Sequence, residues 1–194
     1  TLLKFGVRFD VWFSEETMYV KSGGRCEVEE ALDKIEKAGL LYEKEGAIWF
    51  RTTDFGDDKD RVVKKAGGEL TYFASDIAYL LNKVKRGAGL LINILGPDHH
   101  GYIKRLESIV AAFGFDRNML QVLILQQVNL LECGEKMKMS KREGKIVTLD
   151  ELIEFVGRDA ARYYFIMRNY NSHLDFDMNL AREQSDKNPV YYVQ

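Results

Sequence analysis

"LLINILGPDHHGYIKRLESIVAAFGFDRNMLQVLILQQV", residues 90–128, is the stretch on which the fold turns. "LLINIL" (90–95) is a near-continuous apolar run broken by Asn93, too short for a helix and bounded by glycine, and reads as a fully buried strand. "GYIKRLESIVAAFG" then places Ile103, Leu106, Ile109, Val110 and Phe113 at helical spacing and stops on Gly114. "MLQVLILQQV" (119–128) is a second apolar strand. Strand, helix and strand in so short a span predict a right-handed parallel βαβ unit covered on both faces. The chain is therefore expected to be α/β, built on the core of a doubly wound parallel sheet.

Upstream, "CEVEEALDKIEKAG" sets Val28, Ala31, Leu32 and Ile35 on one helical face and closes on Gly39. "GAIWF", "DRVVKK" and "ELTYF" read as brief strands, predicting a small mixed α/β module up to about residue 70. "TYFASDIAYLLNKVKRG" reads as a helix ending at Gly87. Downstream, Thr148 and Glu151 in "TLDELIEFVG" form a T-x-x-E capping box ahead of a stripe of Leu149, Leu152, Ile153 and Val156. "RDAARYYFIMRN" predicts another helix with Asp159 as N-cap, "MNLAREQ" a further helical piece, and Asn188-Pro189 an extended stop.

The 194 residues are 46% hydrophobic, ordinary for a packed core, and carry a formal charge of only −2, so no global basic field advertises nucleic acid. Cys26 and Cys133 lack any C-x-x-C spacing, and no secretory signal is visible; both are expected to be reduced thiols of a cytoplasmic protein. No apolar run approaches the ~18 residues of a membrane span. The chain begins on Thr1 in mid-pattern without an initiator Met, and the expectation is a piece of something longer.

Three clusters carry candidate chemistry. Gly-Pro-Asp-His-His ends the first strand and so falls at the carboxyl edge of the sheet, where open α/β folds bind ligands. There Gly96 permits close backbone approach, Asp98 can accept from ribose hydroxyls, and the next helix N-terminus favours anions. The plainer alternative is a strand-to-helix turn with His99 and His100 at the surface. A D-H-H metal motif of phosphoesterases is a third reading, since carboxylate and imidazole suit manganese, but His173 is the only other histidine. Tyr72 and Asp76, four apart, share a helix face and could grip a cation; from the residues alone, a solvated carboxylate beside a packed ring serves as well. Finally, "GEKMKMSKREGK" (134–145) gathers Lys136, Lys138, Lys141 and Arg142 against two glutamates between Gly134 and Gly144, with Lys145 just beyond. Such a loop suits a triphosphate, each ammonium being a movable point charge, or is simply a solvated turn.

"KMSKR" (138–142) has the form of the KMSKS-type signature of class I aminoacyl-tRNA synthetases. "GDDKDRVV" (56–63), "LTYFASDIAY" (70–79), "GPDHHGY" (96–102), "VTLDELIEFVGRDAARYYF" (147–165), "LDFDMNLA" (174–181) and "NPVYYVQ" (188–194) resemble arginyl-tRNA synthetases in that family's order. The resemblance covers essentially the whole chain. It implies that residues 1–70 are the later part of the connective insertion and that 71–135 are the second half of the Rossmann catalytic domain. Residues 136–194 would be the signature loop and a helical stem leading to an anticodon-binding domain.

The reaction implied is activation of L-arginine by ATP, accompanied by Mg2+, to an arginyl-adenylate, then transfer to arginine tRNA. The resemblance makes Lys138, Ser140 and Lys141 the catalytic loop, with Lys141 on the β- and γ-phosphates. Tyr72, Asp76 and His99 would bind arginine; Gly96, Asp98, His100, Gln127 and Val128, with Lys138 and Lys141, would bind ATP. Gln126, Gln127 and Val128 would lie near the adenine, and the Arg158 to Arg168 helix towards the tRNA. No resident metal or tightly bound cofactor is implied, and the full-length protein is expected to be a monomer. The family's H-x-G-H sequence is absent from these 194 residues. The chain alone is accordingly expected not to aminoacylate, and a tRNA-binding module without catalysis is the alternative.

Overall fold

A computed structural model describes residues 1–132, 134–137 and 146–193. Two compact units emerge, one of residues 12–123 and one of residues 1–11 with 124–194. In the first, α1 (Glu27–Lys37) buries Val28, Ala31 and Ile35, as its spacing requires. Its start is held by Glu29, whose carboxylate accepts from the Cys26 N–H at 3.0 Å, and its end by Gly39 at φ +74°. Strands β1 (Leu41–Lys44), β2 (Ala47–Phe50) and β3 (Arg61–Lys64) form an antiparallel sheet in that order. Glu45 and Gly46, both at positive φ, turn β1 into β2. β1 was not legible beforehand because Glu-Gly is a weak hairpin signal beside Asn-Gly or Asp-Gly.

The expected strand in "ELTYF" does not form. Leu70 makes one isolated bridge to Lys64, Thr71 caps α2 (Tyr72–Lys85), and Tyr72 and Phe73 are already helical. Phe73 turns into the core and stacks on Phe50 at 6.1 Å between centroids. After Gly87, at φ +86°, come β4 (Leu91–Leu95), a 3-10 turn over Pro97–Tyr102, α3 (Ile103–Ala112) and β5 (Leu120–Ile124). β4 and β5 are neighbours in a two-stranded sheet. β4 is not fully buried: Leu91 is 2% exposed, whereas Ile92 and Ile94 are 49% and 62% exposed. Only one face of the strand is covered in these residues, so burial alternates with the pleat although composition does not.

A polar lock closes the loop between β2 and β3. Asp57, buried, accepts from Arg61 Nε and Nη2, both at 2.7 Å, and Arg61 also meets Asp58. Asp60 accepts from the Thr53 N–H at 3.1 Å, the Thr53 hydroxyl at 2.7 Å and the Tyr42 hydroxyl at 2.9 Å. Ser108 on α3 donates to the Lys104 carbonyl at 2.7 Å and shares that contact with the Thr52 carbonyl at 3.3 Å, which sets the loop against α3.

In the second unit, β6 (Val128–Glu132) lies between β7 (Glu135–Lys136), antiparallel, and β8 (Leu174–Asp177), parallel. The crossover from β6 to β8 passes through α4 (Leu149–Val156) and α5 (Arg158–Ile166). The capping box of α4 is present: Glu151 N–H donates to Thr148 Oγ1 at 3.2 Å and Thr148 N–H to Glu151 Oε2 at 2.6 Å. Asp159 is not the N-cap of α5. Gly157, at φ +86°, ends α4 and starts α5 at once, which sets Asp159 inside the first turn, where it pairs with Arg158. "MNLAREQ" yields only a 3-10 turn, Leu180–Arg182. Pro189 does not stop the chain but opens α6 (Pro189–Val193), with Asn188 Oδ1 accepting from the Val190 N–H at 3.1 Å. Asn188 also donates to the Ala181 and Glu183 carbonyls, satisfying a side chain that is 3% exposed.

Cys26 is a buried free thiol; Cys133 lies outside the described residues. Among the described residues no helix is long and apolar enough to cross a membrane.

Burial opposes ionisation of Asp57, but the Arg61 guanidinium outweighs it and holds the carboxyl down at about 2. Asp57→Asn leaves Arg61 with the exposed Asp58 carboxylate as its remaining acidic partner and is expected to cost about 3 kcal/mol in urea unfolding at pH 7. Because the folded value is depressed, the gap between wild type and variant is present above about pH 4 and closes as pH falls through about 2.

Candidate functional site

α2 is amphipathic in an unusual sense. Its inward face is apolar, while Tyr72, Asp76 and Tyr79 recur at i, i+4 and i+7 along another. That second face forms one wall of a cavity of about 230 Å³, also lined by Phe13, Glu15 and Ser75. Phe13 stacks on Tyr79 at 4.9 Å, and the Lys83 ammonium sits 4.5 Å over the same Tyr79 ring. Tyr72 stands at the rim, 87% exposed. The Tyr19 hydroxyl meets Ser75 Oγ, fastening the 3-10 turn Glu15–Tyr19 to α2.

Asp76 is the electrostatic centre of this wall. The Tyr102 hydroxyl, from the end of the Pro97–Tyr102 turn, donates to its Oδ2. Burial pushes the Asp76 carboxyl above the usual carboxylate range; the Tyr102 hydrogen bond opposes that, Glu15 adds to it, and Lys83 and Arg105 oppose it. The Tyr102 phenol is itself driven well up, by burial and then by the carboxylate it serves. Burial lowers the Lys83 ammonium, Arg86 repels it further, and Asp76 works the other way. Lys83 donates to Asn93 Oδ1 on β4 at 2.9 Å. Two carboxylates among aromatic walls suit a ligand with a delocalised positive charge, which gains both charge-assisted hydrogen bonds and ring contacts.

The other predicted residues fall as follows. Gly96, Asp98, His99 and His100 are all exposed on the turn after β4, and a Cβ added at Gly96 would meet nothing within 4 Å. His99 stands edge-on to the Tyr102 ring at 6.0 Å, one side chain removed from Asp76. Gln127 and Val128 belong to the other unit, where the Gln127 carbonyl accepts from the Leu174 N–H at 3.4 Å. Val128 there lines a cleft of about 530 Å³ with Leu125, Gln126, Arg168 and Tyr170. Lys138, Ser140 and Lys141 lie outside the described residues. Among the described residues no group of three or more His, Cys, Asp or Glu is placed to hold a metal ion.

Sequence reasoning passed over Glu15, Tyr79 and Tyr102. Tyr79 was open to discovery, since it continues the i, i+4, i+7 row begun by Tyr72 and Asp76. Glu15 and Tyr102 carried no such signal, because only the fold brings them to α2.

The family described as tRNA synthetases class I (R), catalytic domain, matches residues 4–181. An arginine–tRNA ligase of Geobacillus kaustophilus is 55% identical over 193 residues, 100% of this chain and 34% of its own length. One of Staphylococcus aureus is 53% identical over 193 residues with the same shares. A crystal structure of a Campylobacter jejuni protein assigned as an arginyl-tRNA synthetase superposes with a TM-score of 0.88 at 36% identity. It covers 99% of this chain and 41% of that one. The chain thus spans about a third of the length of the curated relatives it matches.

In a carbon-detected titration the Asp76 carboxyl is expected to deprotonate above the ~3.9 of an exposed aspartate. Glu15→Gln removes a repelling charge and is expected to move that midpoint down; no movement would show that the two carboxylates do not share a field.

Proposed function

The chain belongs to the class I arginyl-tRNA synthetases, and on that premise we propose that it forms part of an arginine–tRNA ligase catalytic core. The proposed reaction joins ATP and L-arginine to an arginyl-adenylate and pyrophosphate, then passes the arginyl group to the 2′-hydroxyl of the terminal adenosine of arginine tRNA. The single observation that supports it best is the cavity beside α2, where Asp76, with Glu15 nearby, faces a space walled by Phe13, Tyr72 and Tyr79. A guanidinium is planar, permanently charged and weakly hydrated, and fits carboxylates between aromatic rings better than an ammonium does.

In this reading Tyr72, Asp76 and His99 hold arginine. Gly96, Asp98 and His100 line the ATP side of the β4 turn, and Gln127 and Val128 approach the adenine. Lys138, Ser140 and Lys141 serve the phosphates, with Lys141 stabilising charge on the β- and γ-phosphates as the arginine carboxylate attacks the α-phosphate in line. Mg2+ enters with ATP as part of the substrate. Residues 1–70 are taken as connective insertion, 71–135 as the later half of the nucleotide fold, and 136–194 as signature loop and stem.

In the ligase that carries this chain, ATP–pyrophosphate exchange is expected to require arginine and arginine tRNA. Exchange supported by a different amino acid would overturn the assignment. Lys141→Ala is expected to lower kcat by about two to three orders of magnitude with the fold intact by circular dichroism. Asp76→Asn is expected to raise the arginine KM by at least about tenfold.

A further inference from the structure

Tyr102 closes the turn that follows β4, twenty-six positions along the chain from the helix residue whose carboxylate it holds. The phenol is clamped from two directions. The Arg105 guanidinium, from the first turn of α3, lies 4.8 Å over its ring, and the His99 imidazole meets it edge-on at 6.0 Å. A hydroxyl held this way is oriented before any ligand arrives, so its hydrogen bond carries little further ordering cost. Its acceptor is Asp76 Oδ2; among the described residues Oδ1 accepts no hydrogen bond, while Asp76 lines the cavity. One oxygen is therefore tied to the fold and the other is left to a ligand.

We propose that Tyr102 is a positioning residue for arginine binding: its hydroxyl fixes the rotamer of Asp76, whose carboxylate lines the cavity. The proposal rests on the reading of the α2 cavity as the arginine site. Tyr102 touches no substrate in this arrangement and acts through Asp76 alone. The pair also joins α2 to the Gly96–Tyr102 turn, so the arginine side and the proposed nucleotide side of the site share one hydrogen bond. The groups that face Asp76 are Glu15 from the Glu15–Tyr19 turn, Lys83 from α2 itself, Arg105 from α3 and the Tyr102 hydroxyl, with His99 behind the Tyr102 ring. Of these, the Tyr102 hydroxyl is the one that bonds directly to the carboxylate. Its loss leaves the burial that disfavours the charge in place and removes the donor that opposes it.

Tyr102→Phe in the full-length ligase keeps the ring, its Arg105 stack and its volume, and deletes only the donor. The arginine KM is expected to rise by about tenfold at neutral pH, with kcat changed by less than about twofold and the ATP KM unmoved. The KM penalty is expected to grow as pH falls, because the Asp76 midpoint moves up and protonation sets in at higher pH than in wild type. A structural defect alone would give a penalty independent of pH. An Asp76 titration that does not move in the variant would overturn the role of Tyr102 while leaving arginine in the cavity. A titration that moves with the arginine KM unchanged would overturn the arginine assignment, and the proposal with it.

Discussion

Burying a carboxylate beside an apolar core is expensive unless something answers its charge, and the first unit is organised around doing so at Asp76. α2 must present Phe73, Ile77 and Leu81 to the core, which fixes the rotation of the helix and commits Asp76 to the adjoining face. Tyr102 supplies the direct hydrogen bond, and Lys83 and Arg105 supply opposite charge. Each comes from a position set by some other demand: Tyr102 ends the turn after β4, Lys83 reaches Asn93 on β4, and Arg105 begins α3. The cavity beside α2 is the space left once those demands are met.

The loop between β2 and β3 makes a similar case with opposite electrostatics. Asp57 is also enclosed, yet its carboxyl is driven down because Arg61 faces it with two parallel hydrogen bonds. Burial drives Asp76 up, and its one neutral donor, beside a neighbouring carboxylate, does not offset it. Two aspartates in one unit thus differ through their partners. The Asp57 pair anchors a loop through Thr52 to α3, whereas Asp76 remains half-committed, with an oxygen to spare for a ligand.

Much of the architecture was legible from periodicity. The faces of α1, α3 and α4 and the capping box at Thr148 are where the spacing put them. The misreadings have physical causes. β4 is apolar but for Asn93, yet Ile92 and Ile94 face outward here, and composition cannot say which face a sheet has covered. "ELTYF" is rich in strand formers, but Thr71 spends its hydroxyl on the Val62 carbonyl and starts a helix there. Asp159 was a fair N-cap by residue type and lost to Gly157, whose positive φ serves two helices with a single residue. Pro189 was read as a breaker, although at a first helical position its missing N–H costs nothing.

Sequence by itself determined the family, because ordered motifs such as "GPDHHGY" and "LTYFASDIAY" carry chemistry in their residue order, and it paired Tyr72 with Asp76, because helical geometry is local. Only the tertiary structure decided that Asp76 is half-buried, that Tyr102 answers it and that Glu15 stands beside it. The reason is that the charge state of a carboxylate depends on what surrounds it in space. Residues 15, 76 and 102 are distant in sequence, and no periodicity links them until the chain has folded.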